Sequence, residues 1–234
     1  MEAVHAGREI EKVFVKRDLK GELFQELFRL LRSRSIPFQF VPPEKLNRIT
    51  GKNHQGIIAL ISPIVYQPIE NIVISLFESG ETPFFIILDG VTDVRNIGAI
   101  ARTAACASVH AIIVPASGSA QINADAIKTS AGALNSLPVC RSKSLVETIK
   151  YLKNSGIRIA GASEKADSIF HDAVLTGPVA LALGSEDRGL SAGVLKECHD
   201  LVKIPVYGNI SSLNVSAAAA ILIYETVRQR GMTS

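Results

Sequence analysis

Apolar positions along this chain switch repeatedly between short continuous runs and helical spacing. Val13–Val15, Phe38–Val41 and Ile57–Ile61 are β-branched or aromatic runs that predict strands. Residues 19–33 put Leu19, Leu23, Phe24, Leu27, Leu30 and Leu31 on one predicted helical face. Pro42 and Pro43 open a short helix that Gly51 closes, and the polar tetrapeptide Asn53-His54-Gln55-Gly56 leads into the third strand. Together these predict a small N-terminal α/β domain over residues 1–65. Residues 66–82 form a connector, in which Ile69, Ile72, Val73, Leu76 and Phe77 follow the i, i+3, i+4, i+7, i+8 pattern of a linker helix ended by Gly80 and Pro83.

The alternation resumes over residues 83–234. Strands are predicted at Phe84–Leu88, Ala111–Val114, Leu137–Cys140, Ile157–Ala160, Val179–Leu183 and Leu201–Ile204, with helices over about 97–107, 122–130, 144–154, 191–198 and 213–229. Strands this apolar are covered on both faces, so the expected architecture is a mainly parallel sheet with helices on either side. The last helix carries AAAAILIYE, apolar nearly all round, which predicts burial in the core or in a subunit interface.

Composition narrows the class. A chain of 234 residues that is 47% hydrophobic and 20% charged excludes intrinsic disorder. Its three cysteines (Cys106, Cys140, Cys198) form no CxxC pair and read as small buried residues in a reducing compartment. Neither HExxH nor a His/Cys cluster occurs, so no metal is expected. No apolar run reaches the roughly 18 residues of a membrane span, and the N-terminus is too charged for a signal peptide. The expectation is a cytoplasmic protein with no membrane partner. Charge is uneven: residues 1–61 hold 11 Lys and Arg against 7 Asp and Glu, a net of +4, whereas residues 62–234 hold 14 against 15. A basic N-terminal module suggests an anionic partner or a solvated face.

Three loops after predicted strand ends carry unusual polarity, and in open α/β sheets ligands sit at such ends. The first, Leu88–Ala104, contains NIGAIARTA; a helix should start near Asn96, a good N-cap type, and Gly98, Ala99, Ala101 and Ala104 keep it slim enough for close backbone packing. Arg102 is the basic residue on this small, apolar helix. Alone, Asn96 reads as a cap and Arg102 as a surface residue. The second, LALGSEDRGL, runs a buried strand into a turn bounded by Gly184 and Gly189 and carrying Glu186; Gly184 would let a ligand approach the main chain. The third, IPVYGNISSLNVS, leads into the last helix, where Ser212 or Asn214 could serve as a cap. A P-loop, a GxGxxG after the first strand and a GxSxG elbow are all missing, which disfavours ATPase, Rossmann-type and α/β-hydrolase readings.

In this order, NIGAIARTA, LALGSEDRGL and IPVYGNISSLNVSAAAAILIYE resemble the three motifs of the SpoU (TrmH) family of RNA ribose 2′-O-methyltransferases, in the SPOUT superfamily. The N-terminal module, with its Asn53–Gly56 tetrapeptide, resembles the RNA-binding domain of the RlmB subgroup, which acts on guanosine in 23S rRNA. Asp187 stands where the family commonly has a small residue. The resemblance implies an α/β fold closed by a C-terminal trefoil knot, S-adenosylmethionine held in the knot, and an active site completed across a homodimer. It places Leu183, Gly184, Ile204, Ser212 and Leu213 at cofactor-binding positions, and Asn96, Arg102, Glu186 and Asn214 at catalytic ones. The implied function is methylation of a ribose 2′-hydroxyl in rRNA. A transfer-RNA substrate and a non-catalytic RNA-binding role in ribosome assembly are the alternatives. A guanidinium is a poor resting general base, so Arg102 is expected to grip phosphate and stabilise a developing 2′-alkoxide.

Overall fold

The computed structural model describes Val4 and residues 9–34, 36–120, 122–210 and 212–231. The charged N-terminal stretch before Glu9 thus lies, Val4 apart, outside the described residues, as does Ser211 of the third motif. The chain divides into two units, Met1–Val65 and Tyr66–Ser234.

In the first unit, β1 (Ile10–Lys16) is the middle strand of a three-stranded sheet, parallel to β2 (Phe38–Val41) and antiparallel to β3 (Ile57–Ile61). Helix α1 (Glu22–Ser33) makes the crossover between the parallel strands and lays Leu27 and Leu31 on Val13 and Val15. Leu23, expected on that face, is 72% exposed. The stripe facing the sheet runs instead through half-buried Phe24, buried Leu27, half-buried Phe28 and buried Leu31, an i, i+3, i+4, i+7 set that leaves Leu23 on the outer side. Helix α2 (Pro43–Ile49) covers the opposite sheet face, where Leu46 meets Phe14 and Val41.

The second unit opens with α3 (Ile69–Glu78). This helix, read from sequence as a linker, buries Ile69, Val73 and Leu76 in the core of the second unit, while Phe77 stays 46% exposed. Its sheet is parallel throughout, with strands β4 (Phe84–Asp89), β5 (Ala111–Pro115), β6 (Val139–Ser142), β7 (Arg158–Ala162), β8 (Ser168–Ile169), β9 (Val179–Gly184) and β10 (Asp200–Lys203) in the order β6-β5-β4-β9-β7-β10-β8. The central strands are buried on both faces. Phe85, Ile87, Ile113 and Ala182 face the core that α3, α6 (Leu145–Asn154) and α7 (Ala192–Glu197) close. Phe84, Ile86 and Leu88, which alternate with them, are equally buried on the other side. Helix α8 (Val215–Gly231) meets β9 and packs on α4 (Val94–Cys106), which also packs on α5 (Ala124–Thr129). The close approach expected of the slim helix occurs at Gly98, where an added Cβ would lie 2.7 Å from both the Ala126 carbonyl oxygen and the Thr129 Cβ.

The two-residue strand β8 has no counterpart in the sequence reading, because so short a segment carries no period. Its register matters. Val202 of β10 pairs with Ala162 at the end of β7 on one side and with Ser168 at the start of β8 on the other. Residues 163–167 therefore cross from one edge of β10 to the other, and the chain of β10 runs on past that crossing. Of the cysteines, Cys140 is buried and its thiol is pushed up to about 12 by desolvation; Cys106, expected inside, is exposed at the end of α4.

Candidate active site

The three polar loops converge at the C-terminal rim of the seven-stranded sheet. Asp89 and Gly184 end neighbouring strands opposite one another. Asp89 accepts the Ser191 N–H at 2.7 Å and so holds the entrance of α7, a role the sequence reading missed. Only a fold that brings residues 102 positions apart together could reveal it.

Helix α4 begins at Val94, and its cap is Asp93, whose carboxylate accepts the Arg95 N–H. This corrects the expectation that Asn96 is the cap. Asn96 lies one turn inside the helix, and its side chain is free to reach outward. It donates to Glu186 Oε1 at 3.0 Å. The same oxygen accepts the Asn214 side-chain N–H at 2.6 Å and the Val215 main-chain N–H at 3.4 Å. Asn214 Nδ2 also reaches Asn96 Oδ1 at 3.1 Å. Its own Oδ1 accepts the Ser216 N–H at 2.9 Å, which caps α8. One carboxylate oxygen thus ties all three motifs together. Such charge-assisted bonds contribute on the order of 1–2 kcal/mol each, less where solvent reaches them, as it does at Glu186.

Arg102 stands apart. It lies six residues beyond Asn96, about a third of a turn round the helix, and is exposed. Among the described residues it forms no hydrogen bond or ion pair. The structure brings Asn96, Glu186 and Asn214 together and leaves Arg102 out of their cluster.

Beside the cluster lies a cavity of about 270 Å³. Leu183, Gly184, Ile204, Ser212 and Leu213 all line it, together with Glu186. Its walls are mixed: Leu190, Leu195, Val202, Val206 and Val215 also contribute aliphatic surface, and Ser163, Glu164, Lys165, Ser185, Asp187 and Arg188 add polar and charged groups. Gly184 acts differently from its sequence reading. A Cβ there would overlap the Gly189 carbonyl carbon and the Leu190 nitrogen, so the space belongs to the returning limb of the Ser185–Gly189 turn, not to a ligand. Gly189 has φ +67°, and its N–H closes the turn on the Ser185 carbonyl at 2.8 Å. The glycine shapes one wall of the cavity by letting two backbone segments touch.

A cavity lined by both aliphatic and charged side chains suits a ligand with an apolar ring and a polar tail. Leu183, Gly184, Ile204, Ser212 and Leu213 are the residues that would hold S-adenosylmethionine there. Among the described residues, no group of three or more His, Cys, Asp or Glu is arranged to hold a metal ion, and no helix is long and apolar enough to cross a membrane.

Residues 83–224 match the SpoU rRNA Methylase family, and residues 1–67 match the RNA 2′-O ribose methyltransferase substrate-binding family. A relative from Escherichia coli (strain K12), the 23S rRNA (guanosine-2′-O-)-methyltransferase RlmB, is 39% identical over 227 residues, which cover 96% of this chain and 93% of the relative. The SpoU methyltransferase AviRb from Streptomyces viridochromogenes, solved with AdoMet, superposes with a TM-score of 0.65 at 27% identity, covering 98% of this chain and 87% of that one. A TrmH/SpoU tRNA-modifying enzyme from A. aeolicus gives a TM-score of 0.60 at 27% identity, but covers 70% of this chain and 85% of its own.

Proposed function

This chain belongs to the SpoU rRNA methylase family and is an S-adenosylmethionine-dependent RNA 2′-O-ribose methyltransferase; from that premise we propose how its residues divide the work. The substrate is a guanosine ribose of 23S rRNA, the reaction named for its E. coli relative. Residues 1–65 capture the RNA with their excess positive charge, residues 66–82 join the parts, and residues 83–234 carry out the transfer. The observation that carries this reading is the Glu186 oxygen that gathers Asn96, Asn214 and the start of α8 beside the cavity.

When bound, S-adenosylmethionine supplies the electrophilic methyl group. The protein then has to orient the 2′-oxygen and ease the loss of its proton. Leu183, Ile204, Ser212 and Leu213 seat the cofactor, and Gly184 keeps the wall of the seat closed. Glu186 locks the three loops in register. Asn96 and Asn214, held through their amides, position the ribose. Arg102 grips the neighbouring phosphate with a planar fork and stabilises negative charge as it grows on the 2′-oxygen.

Arg102 is far from this cluster in hydrogen-bonding terms, and we assign it to a site completed by a second copy of the chain. The outer stripe of α8 is consistent with that contact: Val215, Ala219, Leu222 and Ile223 are buried within the chain, while Tyr224 and Val227 remain 50% and 37% exposed. The crossing of residues 163–167 from one edge of β10 to the other is compatible with a chain threaded into a trefoil knot, as the family resemblance implies. A ribosomal RNA substrate supports a cytoplasmic location. Mapping 2′-O-methylation in total RNA from cells with and without this gene tests the reading. One 23S guanosine should lose its mark; loss confined to transfer RNA, or no loss, would overturn the substrate assignment.

A further inference from the structure

Four of the chain's nine phenylalanines meet at one edge of the N-terminal unit. Register pairs Phe38 with Val13 and Phe40 with Val15, so both rings share the sheet face that α1 covers. The valines are 2% and 1% exposed, whereas Phe40, on the outer strand, is 42% exposed. Helix α1 is too narrow to roof the edge strand as well. Phe24 and Phe28 come down from it to meet the edge rings, with centroids 5.1 Å apart for Phe28–Phe38, 5.8 Å for Phe38–Phe40 and 6.5 Å for Phe28–Phe40. Over the Phe28 ring, 4.5 Å from its centroid, lies the Arg32 guanidinium.

An edge strand ordinarily blunts itself with charge or proline. Here the alternate side chains of a four-residue strand are aromatic, and they sit in the unit that holds all of the chain's excess positive charge. An exposed Phe40 ring, flanked by half-buried Phe28 and Phe38 and a stacked cation, matches an unpaired nucleobase and its phosphate; a purely apolar protein partner would gain nothing from the net charge of +4. We propose that Phe28, Phe38, Phe40 and Arg32 form a stacking surface for unpaired bases of the RNA substrate. This deepens the RNA-capture role given above to residues 1–65 and rests on it.

The test uses the full chain with two RNA probes, a hairpin with an unpaired loop and a fully paired duplex of the same stem. Phe40→Leu keeps the site apolar but removes the flat ring, and should weaken hairpin binding about tenfold while leaving duplex affinity unchanged. The slope of affinity against salt should not move, because no phosphate contact is lost. Phe40→Tyr should restore binding, and Arg32→Gln should weaken it with a shallower salt slope. Hairpin affinity equal to wild type in a Phe40→Leu protein of normal melting temperature would overturn the proposal. So would equal losses on both probes, or a changed oligomeric state, which would make this edge a contact between copies. Neutralising Lys16, Arg17, Lys20 and Lys52 separates the two readings. If that change weakens RNA binding and Phe40→Leu does not, stacking alone fails; if neither change matters, RNA capture by this unit fails with it.

Discussion

The cavity and the reaction side of this site are built in opposite ways. The cavity is closed within one chain: two backbone limbs touch at Gly184, aliphatic and charged side chains line it, and a single Glu186 oxygen fixes the loops around it. Arg102, by contrast, projects from α4 with no partner among the described residues. The contrast teaches that the cavity is preorganised by folding; on the function proposed above, the cofactor seat is complete in one chain and the grip on RNA is finished only when other molecules arrive. That reading makes Arg102 matter for chemistry and little for stability, and Gly184 for both.

The contrast is broken most sharply at Arg102. Arg102→Ala should lower single-turnover methyl transfer by roughly a hundred- to a thousandfold, the scale at which removing a transition-state charge partner acts. Arg102→Lys should stay severely impaired, because an ammonium cannot bind two oxygens at once. Calorimetry should find cofactor affinity unchanged, and melting should fall within about 0.5 kcal/mol of wild type, as for other exposed positions. Gly184→Ala comes next. Its methyl group meets backbone on both sides and cannot escape by changing rotamer, so the Ser185–Leu190 limb must move. Cofactor affinity should drop roughly a hundredfold with a loss of about 2 kcal/mol in stability.

Glu186→Ala sharpens the comparison from the other side. It leaves the Asn96 and Asn214 amide donors and the Val215 N–H without their shared acceptor. Because water can replace it, the stability loss should be about 1–2 kcal/mol, read from denaturant midpoints. Hydrogen exchange should quicken at the first turn of α8. The smallest effect lies away from the site, at His199, whose Nδ1 accepts the Ile159 N–H at 2.9 Å. Burial, then the nearby Lys153 and Arg158 charges, hold its imidazole below the usual 6.5. The unfolded chain therefore takes up a proton first as pH falls. Stability from this group is full above about 6.5 and declines below it until the folded imidazole itself protonates. His199→Gln should flatten that decline in a pH series of melting curves.

Much of this molecule was legible as sequence. The strands from Phe84 onward are so apolar that burial on both faces followed directly, and Phe38–Val41 and Ile57–Ile61 were placed with their observed ends. Errors arose where several residues compete for one structural role. Asp93 and Asn96 are both cap types, and only the path of the loop decides that Asp93 caps α4 while Asn96 turns toward Glu186. Leu23 and Phe28 both satisfy a loose helical pattern, but the edge strand supplies partners for Phe28 alone. Gly184 announced close approach without saying by what. The gathering of Asn96, Glu186 and Asn214 at one oxygen spans 118 positions of chain, a distance over which no local period carries information.

The division between a seat complete in one chain and a grip supplied by another is tested most directly by complementation. Arg102→Ala and Gly184→Ala chains, carrying different tags, are co-expressed, and dimers holding one of each are purified and assayed for methyl transfer. Assayed at a cofactor concentration near the wild-type dissociation constant, where the weakened Gly184→Ala cavity stays almost empty, each variant alone should be nearly inactive. The mixed dimer should recover about half the wild-type rate, because one of its two composite sites then has both parts intact. A mixed dimer as inactive as either parent, with normal cofactor binding to its Arg102→Ala chain, would contradict the account and return Arg102 to the chain whose cavity it serves.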